Sequence, residues 1–351
     1  MLKDMFNKER LLKMCTNIKL IAKNKDIFFG RTMDLNMSMF GEDIGIDLDV
    51  KLVSIPKGVT VKSQLQPWKS KYAVLGVSTK DTTILYDGIN EHGLAGDCQV
   101  LVETTRSKTA EIEAQGKTPM IGEEFVTYVL TNFKSVKELR ETYTKFMLTD
   151  QFYEYQGAKL QFPLHYAFID ETGDGVVLEP VVAGGFKMYD YVGVMTNSPE
   201  YNYHTVNIRN YIGLENTGVS EKKVDKDLTL QPIENGTGYG LFGIPGDYTS
   251  PSRFVRSFYY KNMVDTFDTE TGINTLYAIF RPLIIPRGLE HAKKEEKITD
   301  YTRYWSGYDV TNRTVYVQTG EGLAITSKTM DATLTEITYN DIQLDNHIYT
   351  V

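Results

Sequence analysis

Residues 14–34 read MCTNIKLIAKNKDIFFGRTMD. The runs at 16–22 (TNIKLIA) and 27–33 (IFFGRTM) are rich in aliphatic, aromatic and β-branched residues, which favour strands. The polar residues at 23–26 (KNKD) between them are typical of a turn. The stretch therefore predicts a β-hairpin that begins one residue after a cysteine.

A turn centred on the middle of the KNKD segment predicts which residues of the hairpin pair. Cys15 would lie opposite Asp34, and Arg31 opposite Ile18, so that a charged pair returns beside the cysteine. Side chains alternate between the two faces of a strand, and Arg31 and Asp34 are an odd number of positions apart. For both to reach Cys15, the second strand needs a bulge or bend near Gly30.

Strand-like segments recur along the rest of the chain, and helical patterns are gathered in a few places. Residues 122–147 predict two helices, the second with a capping box formed by Ser135 and Glu138. Another helix is predicted after Pro251 and extends to Val264. This order of elements favours an α+β layered architecture over a doubly wound parallel sheet. The predicted strands lie at 72–78, 82–86, 94–103, 164–170, 175–182, 192–196, 314–318 and 322–326.

The composition restricts the classes of partner. The 351 residues carry a formal charge of −8 from scattered acidic groups, without the basic stripe that nucleic acid binding needs. No window approaches the roughly 20 apolar residues of a membrane span, and the charged N-terminal stretch does not resemble a signal peptide. No linker or repeat divides the chain. We therefore expect one continuous cytoplasmic domain over 15–351, with neither nucleic acid nor membrane as a partner.

The chain contains two cysteines, Cys15 and Cys98, which are too few for a disulfide framework. No CxxC or HxxxH spacing accompanies them, so no metal site is predicted. A lone cysteine is either core filler or a nucleophile. Cys98 lies inside a predicted strand and is interpreted as core.

Five blocks along the chain together carry a family resemblance. They are MCTNI at 14–18, FFGRTMD at 28–34, DGINEHGL at 87–94, VMTNSPEYNYH at 194–204 and GIPGDYTSPSRFVR at 243–256. In this order the chain resembles the choloylglycine hydrolase family, which includes penicillin V acylases and conjugated bile-salt hydrolases. The spacings from Cys15 to Arg31 and to Asp34 match the family, and the resemblance extends almost to the C terminus.

The resemblance implies an αββα four-layer sandwich of the N-terminal-nucleophile hydrolase type, with two antiparallel sheets between helical layers. It also implies that the nucleophile is the first residue of the mature chain, because its own α-amino group acts as the general base. A free cysteine has a pKa near ~8.5 and an α-amine near ~7.7, so the amine can accept the thiol proton at neutral pH. Neither a cofactor nor a metal is required.

Carried over by position, the resemblance assigns catalytic roles to five residues. Cys15 would be the nucleophile, and Asp34 would accept hydrogen bonds from its amine and orient it. Arg31 and Arg253 would supply positive charge that favours the thiolate. Asn197 would donate its side-chain N–H to the tetrahedral oxyanion, a contact typically worth about 10²–10³ in rate.

Two pocket residues follow from the same resemblance. The second oxyanion donor would be the backbone N–H of Val100, and Met33 matches a flexible apolar position that lines the pocket. Bile-salt hydrolases carry an Asn, and penicillin V acylases usually a Tyr, where this sequence reads GDCQV at 96–100. Neither diagnostic residue is present, whereas the phrases VMTNSP, IIPRG and TDYTRY (299–304) favour the acylases.

The resemblance thus predicts a penicillin V acylase-like hydrolase of linear amides, acting on a small molecule with an apolar or aromatic acyl group. Conjugated bile salts and acyl-homoserine lactones are alternative substrates. A homotetramer is also implied. The alternative from another class is a non-catalytic protein of the same fold that binds an amphipathic ligand.

Residues 1–14 precede the cysteine, and while they remain its nitrogen is an amide that cannot act as a base. They are interpreted either as a propeptide removed by self-cleavage or as a start site assigned too far upstream. In the second case translation begins at Met14, and removal of that methionine exposes Cys15. We favour the second interpretation because Lys8-Glu9-Arg10 can be encoded by purine-rich codons that resemble a ribosome-binding site.

Three other patterns have simpler interpretations. The GxGxxG match at 238–243 follows no predicted strand and is a loop. The acidic segment at 170–175 lacks the distal Glu of a calcium loop and is a hairpin turn. His165 or His204 paired with Cys15 would resemble a thiol protease, but no local protease motif supports this.

Overall fold

The computed structural model describes residues 13–43, 46–291, 299–348 and 350. The prefix residues 1–12 lie outside the described residues. Two β-sheets form the centre of the fold. In spatial order the smaller sheet contains β16 (Val194–Met195), β1 (Lys13–Ile21), β2 (Ile27–Leu35), β19 (Tyr301–Asp309), β20 (Thr314–Thr319) and β21 (Ile325–Thr329).

The larger sheet has ten strands, and three short antiparallel pairs lie outside both sheets. In spatial order the ten strands are β22 (Thr338–Asn340), β3 (Val50–Ile55), β6 (Val74–Thr79), β7 (Leu85–Asn90), β8 (Ala95–Val100), β13 (Leu164–Ile169), β14 (Gly175–Val182), β15 (Gly185–Asp190), β10 (Phe146–Leu148) and β9 (Thr118–Met120). The short pairs are β4 (Thr60–Val61) with β5 (Trp68–Lys69), β11 (Tyr153–Tyr155) with β12 (Ala158–Leu160), and β17 (Lys222–Asp225) with β18 (Leu228–Leu230). Neighbouring strands are antiparallel except β9 and β10.

Six α-helices lie among the described residues. They are α1 (Thr109–Ala114), α2 (Phe125–Asn132), α3 (Val136–Thr142), α4 (Tyr201–Asn207), α5 (Ser250–Met263) and α6 (Gly272–Phe280). Helices α5 and α6 pack on the smaller sheet, whereas α2 and α3 pack on the larger one. The chain is therefore an α+β protein with four αββα layers, as predicted. No helix in the described ranges is long and apolar enough to cross a membrane.

The alternation of side chains along β1 and β2 separates two apolar cores. Ile18 and Leu20 of β1 and Phe28 of β2 pack against α6 and Trp305. Phe29 of β2 faces the other way, into the core between the two sheets. Strand β2 is thus buried on both faces, and each face presents different polar side chains to its neighbours.

The predicted hairpin is present, but its predicted register was wrong by one residue. Ala22 donates its N–H to the carbonyl of Asp26, and Lys25 has a positive φ of 77°. A three-residue loop with a left-handed residue at this position closes the hairpin one residue earlier than a two-residue turn does. Cys15 consequently lies opposite Met33.

The predicted bend near Gly30 was also wrong. Strand β2 pairs with β1 in one uninterrupted register, in which Arg31 lies opposite Asn17. The irregularity of this region lies instead on β19, between Thr302 and Tyr304. Because Cys15 and Arg31 already share one face, no bend is needed to bring them together.

The other predicted elements agree better with the structure. Each predicted strand overlaps an observed one, although the segments predicted at 82–86 and 322–326 begin three residues early. Ser135 accepts a hydrogen bond from the backbone of Glu138 at the start of α3, as the capping motif predicts. The acidic segment at 170–175 connects β13 and β14 as a turn.

Candidate functional site

Cys15 lies on the face of β1 that points between the sheets, and its side chain is 2% exposed. Its Sγ accepts a hydrogen bond from Nη2 of Arg31 at 2.9 Å. Its backbone N–H donates to Oδ1 of Asn197 at 2.7 Å, and its carbonyl accepts from Nη1 of Arg253. Three of the residues predicted from the sequence therefore contact the cysteine directly.

Arg31 is fully buried, and its guanidinium reaches across to the larger sheet. Nη1 donates to the backbone carbonyls of Tyr86 and Cys98 at 3.1 and 3.0 Å. Two buried carboxylates, Asp87 and Asp97, each lie 3.9 Å from a guanidinium nitrogen. Burial opposes the charge of Arg31, but the cysteine and these carboxylates together raise its pKa. The side chain is thus held as a cation beside the thiol.

Asp34 lies on the opposite face of β2, toward the helical layer. Its two oxygens accept hydrogen bonds from the hydroxyls of Thr302 and Thr32, at 2.6 and 3.1 Å. Burial raises the pKa of Asp34 to about 6, while Arg253 and the two hydroxyls oppose that shift. The residue opposite Asp34 in the ladder is Met14, so the carboxyl lies beside the peptide unit that precedes Cys15.

Asn197 follows β16 and joins several parts of the site through one side chain. Its Oδ1 accepts from Nη2 of Arg253 at 2.8 Å as well as from Cys15. Its Nδ2 donates to the carbonyl of Val100 at 3.0 Å, which leaves the second N–H of that amide for another acceptor. Arg253 itself lies on α5, is fully buried and also donates to Thr16 at 2.6 Å.

Val100 ends β8 beside Asn197. The next residue, Leu101, donates its N–H to the carbonyl of Pro163, immediately before β13. Successive residues of an antiparallel strand direct their backbone groups to alternate sides, so the N–H of Val100 points away from β13, on the same side as the carbonyl that Asn197 binds. The predicted backbone donor therefore faces the site.

Burial and charge act in opposite directions on the thiol of Cys15. Burial raises its pKa, Arg31 lowers it, Asp34 raises it and Arg253 lowers it. The net direction is upward because both arginines together do not offset the loss of solvation. Each arginine by itself lowers the pKa of the thiol, but burial has the larger effect and the pKa is raised.

A cavity of about 600 Å³, including the part open to solvent, adjoins the cysteine. Met33 lines it as predicted, and its Sδ accepts from Arg31 at 3.4 Å. Apolar side chains dominate the wall, and three aromatic ones are among them. Lining residues include Cys15, Met33, Leu35, Leu48, Ile84, Tyr86, Val100, Tyr155, Leu160, Phe162 and Leu164.

The two histidines considered as alternative bases have other partners. His204 donates from Nε2 to the carbonyl of Asn197 at 2.8 Å and stacks on Phe254. His165 pairs with the buried carboxylate of Glu179 at 3.1 Å. Within the described ranges neither imidazole bonds to the cysteine, so the geometry does not form a thiol-protease pair.

Some contacts of the site were missed in the sequence. Asp87 lies inside the DGINEHGL block but was given no role, and Thr302 was not singled out as a partner of Asp34. Asn17 and Asp97 were also missed, although they bond to each other at 2.7 Å behind the cysteine. Asp34 meets Thr302 through the pairing of β2 with β19, whereas the contacts of Asp87 and Asp97 depend on how the two sheets pack, so spacing along the chain does not reveal these partners.

The described residues contain no group of three or more His, Cys, Asp and Glu side chains arranged to hold a metal ion. The chemistry that these contacts support is nucleophilic attack by sulfur. A buried thiol lies beside a cation, the backbone N–H of Val100 and the second amide N–H of Asn197 are nearby donors, and an apolar cavity is adjacent.

Comparison with known proteins places this geometry among amide hydrolases. A sequence model described as "Linear amide C-N hydrolases, choloylglycine hydrolase family" matches residues 15–342. The bile salt hydrolase/transferase of Clostridium perfringens is 31% identical over 297 residues, which cover 84% of this chain and 85% of that protein. The penicillin V acylase of Pectobacterium atrosepticum is 30% identical over 208 residues, covering 56% of this chain and 47% of the acylase.

Solved structures agree with the sequence comparison. A crystal structure of a variant conjugated bile acid hydrolase from Clostridium perfringens superposes with a TM-score of 0.82 at 28% identity. The match covers 96% of this chain and 99% of that one. The layers described above are thus similar to those of that hydrolase over nearly the whole chain.

Proposed function

Since the chain belongs to the choloylglycine hydrolase family of linear amide C–N hydrolases, we propose that it cleaves its amide through the thiol of Cys15 as a covalent nucleophile. The observation that carries the proposal is the 2.9 Å contact between Sγ of Cys15 and Nη2 of Arg31, at the wall of an apolar cavity. Such a cation stabilises the thiolate when the proton leaves. No histidine is needed for this step.

In the proposed reaction the free α-amine of Cys15 takes the thiol proton, and the sulfur attacks the amide carbonyl. The oxyanion accepts from the free N–H of Asn197 and the backbone N–H of Val100. The C–N bond breaks as the ammonium returns its proton to the leaving nitrogen, which forms a thioester. Water then attacks the thioester with the amine as base, releasing the acid and restoring the thiol.

This mechanism requires that the bond between Met14 and Cys15 be cut. We propose that residues 1–14 are absent from the mature enzyme, either by self-cleavage or because translation begins at Met14. The pairing of Met14 with Asp34 supports the proposal, because the new amine then forms beside that carboxylate. The intact mass of the protein from its native host decides it, since a mass that retains residues 1–13 would contradict this maturation.

The substrate that we propose is an N-acyl conjugate with a large apolar acyl group, of the bile-salt type. Several relatives that match most of the chain are named for bile salts or conjugated bile acids, and the cavity wall is predominantly apolar. Cleavage of glycine or taurine conjugates is the expected activity. Comparison of glycocholate and taurocholate turnover by a chain that begins at Met14, with its Cys15→Ser variant as control, tests this directly.

A phenoxyacetyl amide such as penicillin V is the second candidate substrate. Tyr86, Tyr155 and Phe162 line the cavity and present ring surfaces to an aromatic acyl group. A kcat/KM for penicillin V above that for both bile conjugates would favour this candidate. Acyl-homoserine lactones are the third class of compound to be tested, beside the bile conjugates and penicillin V. If the parent hydrolyses none of these amides and lactones but binds them as tightly as the Cys15→Ser variant does, the chain is a non-catalytic ligand-binding protein.

We further propose that residues 15–351 form one domain and that the mature protein is a cytoplasmic homotetramer. The segment at 212–242 supports the assembly, because it exposes several apolar side chains to solvent, including Ile212, Ile233 and Phe242, which are 86%, 73% and 83% exposed. A second copy that covers this segment would bury them. Sedimentation velocity of the parent and of Phe242→Ser measures the assembly, and a monomeric parent would contradict it.

A further inference from the structure

Three buried polar side chains lie between the sheets directly behind the nucleophile. Asn17 lies two residues after Cys15 on the same face of β1, and Asp97 and Gln99 share a face of β8. Nδ2 of Asn17 donates to one oxygen of Asp97 at 2.7 Å, and Nε2 of Gln99 donates to the other at 2.9 Å. All three side chains are at most 1% exposed. Both oxygens of Asp97 are thus held by neutral donors.

The fixed carboxylate acts on Arg31 through charge. Oδ2 of Asp97 lies 3.9 Å from Nε of Arg31, which is too long for a hydrogen bond and close enough for a strong Coulombic interaction. The guanidinium donates its hydrogen bonds elsewhere, including the one to Sγ of Cys15. Asp97 therefore changes the potential at the sulfur without contacting it.

We propose that Asp97 is a positioning residue whose carboxylate, held by Asn17 and Gln99, offsets part of the positive potential of Arg31 and so sets the pH at which Cys15 ionises. Removal of this negative charge exposes the thiol to more of the arginine's field. The thiol of Cys15 then ionises at a lower pH. The consequence for turnover rests on the proposed amidase function, whereas the effect on thiol ionisation does not.

Other charged and titratable groups face Cys15 and Arg31, and the test leaves all of them unchanged. Asp34 and Arg253 act on the cysteine from the helical side. On the side of the larger sheet, Arg31 also faces Asp87, which is held by the hydroxyls of Tyr304 and Tyr308. Cys98 is the remaining thiol near the guanidinium, and in the mature chain the α-amine of Cys15 is a further titratable group beside the sulfur. A change at Asp97 alone therefore alters one charge in a fixed surrounding.

The variant Asp97→Asn fits the existing contacts with little rearrangement. The new amide oxygen accepts from Asn17 as the carboxylate does. Its new N–H₂ group meets Gln99, whose Oε1 is buried and has no hydrogen-bond partner among the described residues. A flip of the Gln99 amide directs that oxygen to the new donor, so residue 97 keeps a hydrogen bond to each of its two neighbours.

The direct test is the pH dependence of Cys15 alkylation by iodoacetamide in the mature protein, followed by peptide mass spectrometry that separates Cys15 from Cys98. A unit charge roughly 10 Å from a thiol, in an effective dielectric of about 20, changes the pKa of that thiol by on the order of one unit. Asp97 acts on the sulfur from this longer range, across the guanidinium of Arg31, and not at the 3.9 Å that separates it from Nε. We expect the midpoint for Asp97→Asn to fall by about one pH unit. Glu179→Gln, which removes another fully buried carboxylate that pairs with His165, is the matched control and leaves the midpoint unchanged.

An unchanged or higher midpoint in Asp97→Asn would overturn the inference, because it would mean that the carboxyl carries its proton throughout. If that variant fails to fold, the smaller neutral variant Asp97→Ser carries the same prediction. The acid limb of kcat/KM for glycocholate should move with the alkylation midpoint. A moved midpoint in a protein that hydrolyses no amide would refute the proposed function and leave the role of Asp97 intact.

Discussion

The buried imidazole of His204 gives the fold a pH dependence that can be calculated. Its Nε2 donates to the carbonyl of Asn197, and its ring stacks on Phe254. Burial lowers its pKa from the ordinary 6.5 to about 4. Between these values the unfolded chain binds a proton that the native state does not, so stability falls as the solution becomes acidic. At about 1.4 kcal/mol per pKa unit, the loss from pH 7 to below 4 is about 3 kcal/mol.

The contribution of Asp34 to the pH dependence of stability has the opposite sign to that of His204. Burial raises its pKa from 3.8 to about 6, so the native state binds its proton first as the pH falls. Its contribution is fully present below the unfolded value and is lost as the pH rises through 6. Because the two magnitudes are similar, the contributions of His204 and Asp34 largely cancel in the pH profile of the parent. A matched variant is needed to separate the two groups.

His204→Gln provides that variant, because its side-chain amide N–H can donate to the carbonyl of Asn197 without titrating. Urea unfolding of both proteins at pH 7 and pH 4 gives the four free energies required. The contribution of Asp34 cancels in the difference between the proteins, so the parent should lose about 3 kcal/mol relative to the variant. If the difference in unfolding free energy between the two proteins is the same at pH 7 and pH 4 to within about 1 kcal/mol, the assignment of a neutral buried imidazole is refuted.

Three further changes test other parts of the structure. Asn197→Ala should lower kcat by about 10²–10³ through loss of the oxyanion donor, measured with the preferred amide of the substrate panel; a loss below tenfold would contradict that role. Gly272→Ala should lower the free energy of unfolding by about 1–3 kcal/mol, because the added methyl overlaps the ring of Phe28; a stabilised variant in thermal unfolding would contradict it. Tyr304→Phe should cost about 2 kcal/mol in urea unfolding by removing the 2.6 Å hydrogen bond to Asp87, and an unchanged midpoint would show that this bond adds nothing.

Local signals in the sequence identified the hairpin of β1 and β2 and the N-cap of α3, because residues that are close in the chain determine both. The register of the hairpin was not predictable from the polar composition of its turn. It depends on the left-handed conformation of Lys25, a non-glycine residue for which the sequence offers no indication. A difference of one residue exchanged the partner of Cys15 and made the proposed bend in β2 unnecessary.

The site was predicted where it coincides with the blocks that carry the family resemblance. The structure brings Cys15, Arg31 and Asn197 into contact as expected, and Val100 lies beside them. The contact between Asn17 and Asp97 joins residues 80 positions apart and depends on how the two sheets pack. No pattern of period two or 3.6 contains that information, so only the folded chain identifies it.

The ladder between β1 and β2 continues past Cys15 toward the N terminus for two more pairs, at Met14 and Lys13. The other seven pairs, from Cys15 to Ile21, lie on the far side of the Met14–Cys15 bond and include those that flank the turn. Cleavage of the Met14–Cys15 bond therefore removes only the two pairs at the end of the ladder. If residues 1–14 are a propeptide, the chain can fold before it is active, and hydrolysis of a single bond then sets the moment at which activity begins.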